Sequence, residues 1–235
     1  MKPFQLLITK KLSHSPFEQT TIKDVVIVEK AFIQIVTVDT PEIKEKIKSI
    51  AEKENVLVFT SKNALQAVAS VMKNINDNSL VFCLDGSTRD LIIKYFGEEK
   101  IIATAPDAVE LANKIAAQRI NKALYFFCGN KRREELPGLL LSKGIKLNEV
   151  IVYETKFSPE KMTDEFDGVS FFSPSAAESF FSMNQLNENT VCFSIGNTTS
   201  ATLKKLTNNN ILTSEKASEK SMLNLVNSFV KKKNE

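Results

Sequence analysis

From Val56 onward, short runs of β-branched and aromatic residues alternate with segments that have helical patterns. The runs are VLVFT (56–60), LVFCL (80–84), KIIAT (100–104), ALYFFC (123–128), VSFF (169–172), VCFSI (191–195) and ILT (211–213). The opening stretch MKPFQLLITKKL predicts a further strand. Alternation this dense predicts an α/β fold, in which parallel sheets carry helices on both faces.

Capping signals mark the helix boundaries between these strands. Asp107 and Ser175 are each followed three residues later by a glutamate, which is the spacing of a capping box. Thr40, with a proline directly after it, predicts the start of a helix that runs toward residue 50. Gly144 predicts the end of another helix before the next strand.

Two pairs of segments in the chain resemble each other. VFTSKNALQAV (58–68) aligns with SFFSPSAAESF (170–180), and FCLDGSTRDL (82–91) aligns with FSIGNTTSAT (193–202). Ser61 and Thr88 are 27 residues apart, and their counterparts Ser173 and Thr199 are 26 apart. The matching order and spacing favour an internal duplication, which predicts two similar parallel-sheet domains of the flavodoxin-like type.

Two strongly β-like segments flank the first of the duplicated halves. They are AFIQIVTVD (31–39) and LNEVIVYETKF (147–157), and we expect them to pair as a two-strand β linker. Residues 40–150 then form a domain inserted into an outer, discontinuous domain of residues 1–35 and 158–235. A linker of two crossing strands permits hinge motion.

The composition excludes several kinds of function. A net charge of +3 is too small for a nucleic-acid-binding face, and no apolar run reaches the ~18 residues of a membrane helix. The one histidine, His14, argues against a Cys/His zinc site and most histidine-based triads. The three cysteines, in VFCL, FFCG and VCFS, are explained by buried free thiols in a reducing cytosol. We therefore expect a cytoplasmic protein with no metal, membrane or nucleic-acid partner.

Hydroxyl-bearing residues and glycines follow several predicted strands. They are Thr60, Ser61, Thr88, Ser173, Ser175, Thr198 and Thr199, with Gly86, Gly129 and Gly196. Ligands of open α/β sheets bind beyond the carboxyl ends of the strands. Each hydroxyl alone is explained as an N-cap that stabilises its helix by ~1 kcal/mol. Capping does not require adjacent hydroxyls at both duplicated positions, so the set predicts a site for several carboxylates of one large ligand.

The segment CGNKRREELPG (128–138) adds positive charge at a strand end, through Lys131, Arg132 and Arg133. Cations at a helix N-terminus are unfavourable by ~0.3–1 kcal/mol. Either Pro137 starts the helix and the basic run is a loop, or a bound anion offsets the penalty. A third interpretation is that Glu134 and Glu135 neutralise the cations on a solvated surface.

Tyr153 lies in IVYET, within the second predicted linker strand. One interpretation is an aromatic side chain that fills a gap at a hinge. The other is a phenol that donates a hydrogen bond or a proton to a leaving group.

With these residues the chain resembles the uroporphyrinogen-III synthase family. The matching stretches are VFTSKNA, LYFFCGNKRREEL leading to VIVYET, FFSPSA and IGNTTSATL, in order over roughly residues 56–205. Three positions depart from the family pattern. Thr9-Lys10 replaces Thr-Arg after the first strand, Lys62 replaces a common proline, and Asp85 replaces a glycine.

The resemblance implies two α/β domains with an active site in a cleft, and no cofactor or metal. Such enzymes close the linear tetrapyrrole hydroxymethylbilane to uroporphyrinogen III, losing water and inverting the last pyrrole ring. By motif, Tyr153 and Thr88 are the candidate catalytic residues. Those for binding the eight substrate carboxylates are Thr60, Ser61, Gly129, Lys131, Arg132, Ser173, Ser175, Thr198 and Thr199.

The resemblance further implies a cytoplasmic monomer that makes transient contact with the preceding pathway enzyme. The main alternative function is a non-catalytic two-domain protein that closes on a polyanionic small molecule. A pair of receiver-like domains is disfavoured, because Thr9-Lys10 and Thr60-Ser61 occupy positions where such domains need an acidic cluster.

Overall fold

The computed structural model describes residues 2–12 and 24–234, which divide into two compact units. One unit contains the chain up to Gln34 together with the chain from Lys156 onward, and the other is Ile35–Thr155. His14 lies outside the described residues. We refer to the unit made of the two ends of the chain as the outer unit, and to Ile35–Thr155 as the inner unit.

The elements alternate along most of the chain. The strands are β1 (Phe4–Ile8), β2 (Val25–Glu29), β3 (Ile33–Thr37), β4 (Val56–Phe59), β5 (Leu80–Leu84), β6 (Ile101–Ala105), β7 (Leu124–Gly129), β8 (Leu147–Phe157), β9 (Gly168–Phe171), β10 (Val191–Ser194) and β11 (Ile211–Thr213). The helices are α1 (Pro41–Glu52), α2 (Lys62–Ala69), α3 (Ser87–Phe96), α4 (Ala108–Ala116), α5 (Glu135–Ser142), α6 (Pro174–Phe181), α7 (Asn197–Leu206) and α8 (Glu219–Asn234), with a 3₁₀ turn at Glu98–Lys100.

The predicted α/β class with parallel sheets is confirmed. The seven strands predicted from residue 56 onward, outside the linker segments, all form, and each end lies within one residue of its predicted position. The prediction missed β2, an edge strand whose five residues are all partly or fully exposed. Its sequence, VVIVE, is nevertheless a run of β-branched residues that is typical of a strand, so the signal was present and the prediction did not use it.

Apart from the pair β3 and β8, neighbouring strands in the two sheets are parallel, and the two sheets have related strand orders. The order in the outer unit is β11-β10-β9-β1-β2, and the second sheet has the order β3-β8-β7-β4-β5-β6. The boundaries between the two units fall inside β3 and β8, which are neighbours in the second sheet.

The duplicated segments occupy the same place in both sheets. By sequence, β4 corresponds to β9 and β5 to β10, and in space β7-β4-β5-β6 corresponds to β1-β9-β10-β11. The registers agree as well, since Val58 is flanked by Phe126 and Phe82, and its counterpart Ser170 by Ile8 and Phe193. The units therefore share one spatial plan with a circularly permuted chain order. The strand order reverses between β4 and β7 in the inner unit, and between β1 and β9 in the outer unit.

Burial on both faces explains the apolar strands. All residues of β4, β9 and β10 are buried. In β4, Leu57 and Phe59 join one apolar cluster and Val56 and Val58 join another, one on each face of the sheet. Burying each of these side chains contributes on the order of 1.5–3 kcal/mol.

Two of the predicted helix starts are confirmed. The Thr40 hydroxyl accepts a hydrogen bond from the N–H of Ile43 at 3.3 Å, and Asp107 Oδ1 accepts one from the N–H of Glu110 at 2.9 Å. Gly144 follows α5 with a φ of 73°, a conformation that glycine adopts without strain.

The predicted cap at Ser175 is wrong. Helix α6 begins at Pro174, and the Oγ atom of Ser173 accepts a hydrogen bond from the N–H of Ala176 at 3.1 Å. A proline has no N–H and a backbone already set for a helix, so Pro174 favours the first helical position and makes the preceding serine the cap.

Ser173→Ala is expected to lower the free energy of unfolding by about 1 kcal/mol, because the Ala176 N–H loses its capping oxygen. Ser175→Ala is the matched control, and it should change stability by less than about 0.5 kcal/mol. Urea unfolding followed by circular dichroism measures both. If Ser175→Ala destabilised the protein more than Ser173→Ala does, the result would support Ser175 as the N-cap, as predicted from the sequence.

Candidate active site

A cavity of about 340 Å³ opens at the carboxyl ends of β4 and β7 in the inner unit. This is the point at which strand order reverses, where open α/β sheets bind ligands. Leu84, Phe126 and Leu136 supply apolar wall. Six of the predicted site residues line it: Thr60, Ser61, Gly129, Lys131, Arg132 and Tyr153.

Gly129 and Tyr153 lie against each other in this cavity. They are opposite one another in the pairing of β7 with β8. A Cβ atom on Gly129 would lie 2.4 Å from Tyr153 Cζ and 2.9 Å from its hydroxyl oxygen. The absence of a side chain at Gly129 therefore makes the room in which the phenol ring lies.

The phenol of Tyr153 is held at its hydroxyl end. Its O–H donates a hydrogen bond to Ser61 Oγ at 3.3 Å, and the same serine oxygen accepts the N–H of Asn63 at 3.2 Å as the cap of α2. Ser61 thus acts as a helix cap and also orients the phenol. The Tyr153 side chain is half-buried, so its hydroxyl can meet a ligand in the cavity.

Arg132 is bound by two glutamates. Its Nε and Nη2 atoms donate to the carboxylate of Glu149, the latter at 2.8 Å, and its Nη1 atom donates to Glu134. These hydrogen bonds, to Glu149 first and then to Glu134, raise the pKa of Arg132 above its usual value. A guanidinium has five N–H donors, so two remain for a ligand carboxylate.

The other cations of the basic segment are more exposed. The Arg133 side chain is 58% exposed and lies 4.0 Å from the Glu135 carboxylate. Both Arg133 and Lys131 line the cavity. Helix α5 begins at Glu135, two residues before the start that one interpretation placed at Pro137. The basic run therefore precedes the helix, and glutamates pair with both arginines.

In the outer unit, the predicted hydroxyls differ in exposure. Thr198 is exposed and Thr199 is only 2% exposed, so the adjacent threonines do not present two hydroxyls to solvent. Ser173 is occupied as a cap and Ser175 is half-buried. Thr88, the inner-unit counterpart of Thr199, is 5% exposed and is not among the described residues that line the cavity.

Helices α3 and α7, which correspond in the duplication, share an unusual start. Their N-cap residues are Gly86 and Gly196, and neither start has a side-chain cap from the described residues. Helices α2 and α6, by contrast, are capped by serine. Uncapped first-turn N–H groups are suited to anions, so each unit offers one such helix start.

The three cysteines are buried and free, as predicted. Burial raises the pKa of Cys128 to about 11, with a smaller effect from Glu149, and burial raises the pKa values of Cys83 and Cys192 to about 12. These thiols are protonated at neutral pH and therefore are poor nucleophiles.

Among residues 2–12 and 24–234, no cluster of three or more metal-ligating side chains is found. No helix in this part of the chain is long and apolar enough to cross a membrane.

Two residues near the cavity escaped the sequence reasoning. Glu149 holds Arg132, and Asn130 hydrogen-bonds to the strand that carries Tyr153. The available signal for Glu149 was an acidic side chain directly before the apolar run Val150–Val152 of β8. Asn130 carried no signal beyond its place between Gly129 and the basic run.

A protein-family model described as Uroporphyrinogen-III synthase HemD matches residues 20–224 of this chain. No curated protein sequence matches it. Several solved structures do.

The chain is 19% identical to uroporphyrinogen-III synthetase from Helicobacter pylori, with a TM-score of 0.67 over 96% of this chain and 99% of that one. A mutant uroporphyrinogen III synthase from Thermus thermophilus is 11% identical, with a TM-score of 0.66 and coverage of 97% and 99%. The wild-type protein from the same bacterium, also 11% identical, has a TM-score of 0.54 and coverage of 99% and 100%. At these identities the structural matches show a shared fold.

Proposed function

The chain belongs to the uroporphyrinogen-III synthase family, whose model matches most of its length, and on this premise we propose which residues carry the reaction. The protein is a cyclising lyase of tetrapyrrole biosynthesis. It closes hydroxymethylbilane, a linear tetrapyrrole, to uroporphyrinogen III with loss of water and inversion of the last pyrrole ring. A purely binding function is not favoured.

The chemistry needs positioning more than reactive groups. A pyrrole nitrogen supplies the electrons that break the C–O bond of the terminal hydroxymethyl group, and the oxygen leaves as water. A substituted carbon of a pyrrole ring then attacks this electrophilic carbon. The product is a spiro intermediate, which reopens and closes again. The protein must assist the departing oxygen and hold the two chain ends together.

We assign the first of these tasks to Tyr153. The single observation that carries this assignment is its phenol, which lies in the cavity and is oriented by Ser61 and Gly129. As a hydrogen-bond or proton donor, the phenol assists loss of the hydroxyl as water. Thr88 is the second candidate, through the uncapped first turn of α3 rather than through its buried hydroxyl.

We assign the substrate carboxylates to the cationic rim and the helix starts. Lys131 and Arg132 line the cavity beside Thr60, Ser61 and Gly129, and Arg132 keeps two N–H donors that Glu149 and Glu134 do not use. In the outer unit, the first turn of α7 with Thr198 and Thr199, and the start of α6 with Ser173 and Ser175, offer N–H and O–H donors. Neutral N–H and O–H donors of this kind suit a substrate with eight carboxylates, because they bind anions without rigid ion pairs.

Thr198→Ala is expected to raise KM about fivefold, the equivalent of about 1 kcal/mol for one solvent-exposed hydrogen bond, with kcat little changed. Thr198→Ser keeps the hydroxyl and should behave as the parent. Initial rates of hydroxymethylbilane consumption measure both variants. An unchanged KM in Thr198→Ala would remove this side chain from substrate binding.

The assay for the whole assignment is regiochemical. Hydroxymethylbilane closes spontaneously to the symmetric isomer, so purified protein is incubated with freshly made substrate, and the oxidised products are resolved by chromatography. The enzyme should yield the inverted isomer in excess. Predominance of the symmetric isomer at high protein concentration would contradict the activity.

We also propose that the protein acts in the cytoplasm as a monomer and makes transient contact with the preceding pathway enzyme. The instability of hydroxymethylbilane supports such a contact, because direct delivery limits spontaneous closure.

We further propose residues 40–150 as an inserted domain, residues 1–35 with 158–235 as the outer domain, and 31–39 with 147–157 as the linker. The two compact units and the positions of β3 and β8 support this division.

A further inference from the structure

Beside the cavity, the pairing of β7 with β8 shifts by one residue. Cys128 and Gly129 are consecutive, yet their partners are Ile151 and Tyr153, so Val152 is an extra residue in β8. An irregularity of this kind changes the direction of the side chains that follow it and interrupts the regular hydrogen-bond ladder. Here the next side chain is the phenol of Tyr153.

Asn130 restores the ladder directly after the shift. Its backbone N–H donates to the Tyr153 carbonyl at 3.2 Å, as the next residue of a parallel strand does. In a regular parallel pair, the Asn130 carbonyl would then accept the N–H of Thr155. Here the chain leaves the strand in a turn, in which the Arg132 N–H donates to the Gly129 carbonyl at 3.2 Å. The side-chain Oδ1 atom of Asn130 accepts the Thr155 N–H instead, at 2.9 Å.

One residue thus bonds both peptide groups that follow Tyr153 while the backbone leaves the sheet toward the basic segment. We propose that Asn130 is a positioning residue for Tyr153, its side chain standing in for a strand carbonyl that holds β8 in place. This inference rests on the proposed catalytic role of Tyr153. Asn130 is exposed, so water can replace its hydrogen bond with little loss of stability. Water cannot replace the constraint on where the phenol lies.

Asn130→Ala is expected to lower kcat roughly tenfold, with KM within about twofold of the parent value, because a displaced catalytic group costs turnover. Asn130→Asp keeps the Oδ1 acceptor and should retain most of kcat. Its negative charge beside a polyacidic substrate should raise KM instead. Equal loss of kcat in Asn130→Asp and Asn130→Ala would overturn the proposal.

Asn148→Ala is the matched control. Asn148 also joins β8 to β7 through its side chain, donating to the Leu124 carbonyl at 3.0 Å, but at the opposite end of the strands. The substitution removes a comparable hydrogen bond and should leave kcat unchanged. If kcat falls equally in both alanine variants, general loosening of the strand pair explains the effect and the positioning role is refuted.

A double-mutant cycle with Tyr153→Phe separates this inference from the role of Tyr153 itself. If Asn130 acts through the phenol, Asn130→Ala should lower kcat in the parent but hardly at all in Tyr153→Phe. Equal losses in both backgrounds would contradict the inference while leaving Tyr153 catalytic. A Tyr153→Phe variant with parental kcat would instead remove the proposed role of Tyr153. Asn130→Ser, which is too short to bridge, replaces Asn130→Ala throughout should that variant not fold.

Discussion

Gly129→Ala is expected to reduce kcat by at least about 100-fold, because the new methyl group occupies the place of the Tyr153 ring. The added Cβ atom would lie 2.4 Å from Cζ and 2.5 Å from Cε2 of that ring, distances that real structures do not tolerate. Gly129 lies within β7 and Tyr153 within β8, so neither backbone moves easily. The ring is the group that must leave, and with it goes the hydrogen bond to Ser61.

The same substitution should lower the free energy of unfolding by about 1–3 kcal/mol, as overpacking does elsewhere. Gly138→Ala is the control, because a Cβ atom there meets nothing within 4 Å. Gly138 lies inside α5, where alanine stabilises a helix by up to about 1 kcal/mol relative to glycine, and kcat should not change. Steady-state kinetics and urea unfolding on both variants test the contrast. Parental kcat in Gly129→Ala would show that the position of the ring does not matter to the reaction.

Tyr153→Phe is expected to lower kcat by on the order of 100-fold to 1,000-fold, with the fold intact. The loss is large because the phenol is the proposed donor to the departing oxygen, and one such donor commonly contributes this much. Stability should hardly change, since the hydroxyl makes a single 3.3 Å bond to a serine that remains satisfied as a helix cap.

The product mixture gives a second measurement of the same variant. When the enzyme is slow, spontaneous closure competes, so the fraction of symmetric isomer should rise. Tyr125→Phe, which removes a hydroxyl from β7 away from the cavity-lining set, should keep the parental rate and isomer ratio. A Tyr153→Phe variant with the parental rate and ratio would exclude the phenol from the chemistry.

The strands and most helix starts could be predicted because their causes are local. A run such as VCFSI identifies a buried strand by itself, and Asp107 caps α4 through an N–H three residues away. Ser175 shows how narrow such reasoning is. Glu178 lies at the capping-box spacing from Ser175. However, Pro174 occupies the first helical position, so Ser173 is the N-cap.

The site was predicted in composition and only partly in arrangement. Six predicted residues line one cavity, because they lie at the carboxyl ends of β4 and β7 or on β8, which are neighbouring parallel strands. Thr199 is buried although Thr198 beside it is exposed, and Thr88, the counterpart of Thr199 in the duplication, is buried as well. Which side of a helix start is buried depends on the packing of that helix, and its sequence does not state it.

The sequence by itself determined the α/β class, the strand and helix segments, the duplication and the family, because hydrophobic runs, caps and motifs involve residues a few positions apart. Tertiary structure alone decided that the duplicated units share one spatial strand order despite different chain orders. It also decided that Arg132 is held by Glu149, and that Tyr153 reaches Ser61 across 92 residues of sequence. Those contacts join strands remote in the chain, and they form because both faces of each sheet must be buried at once.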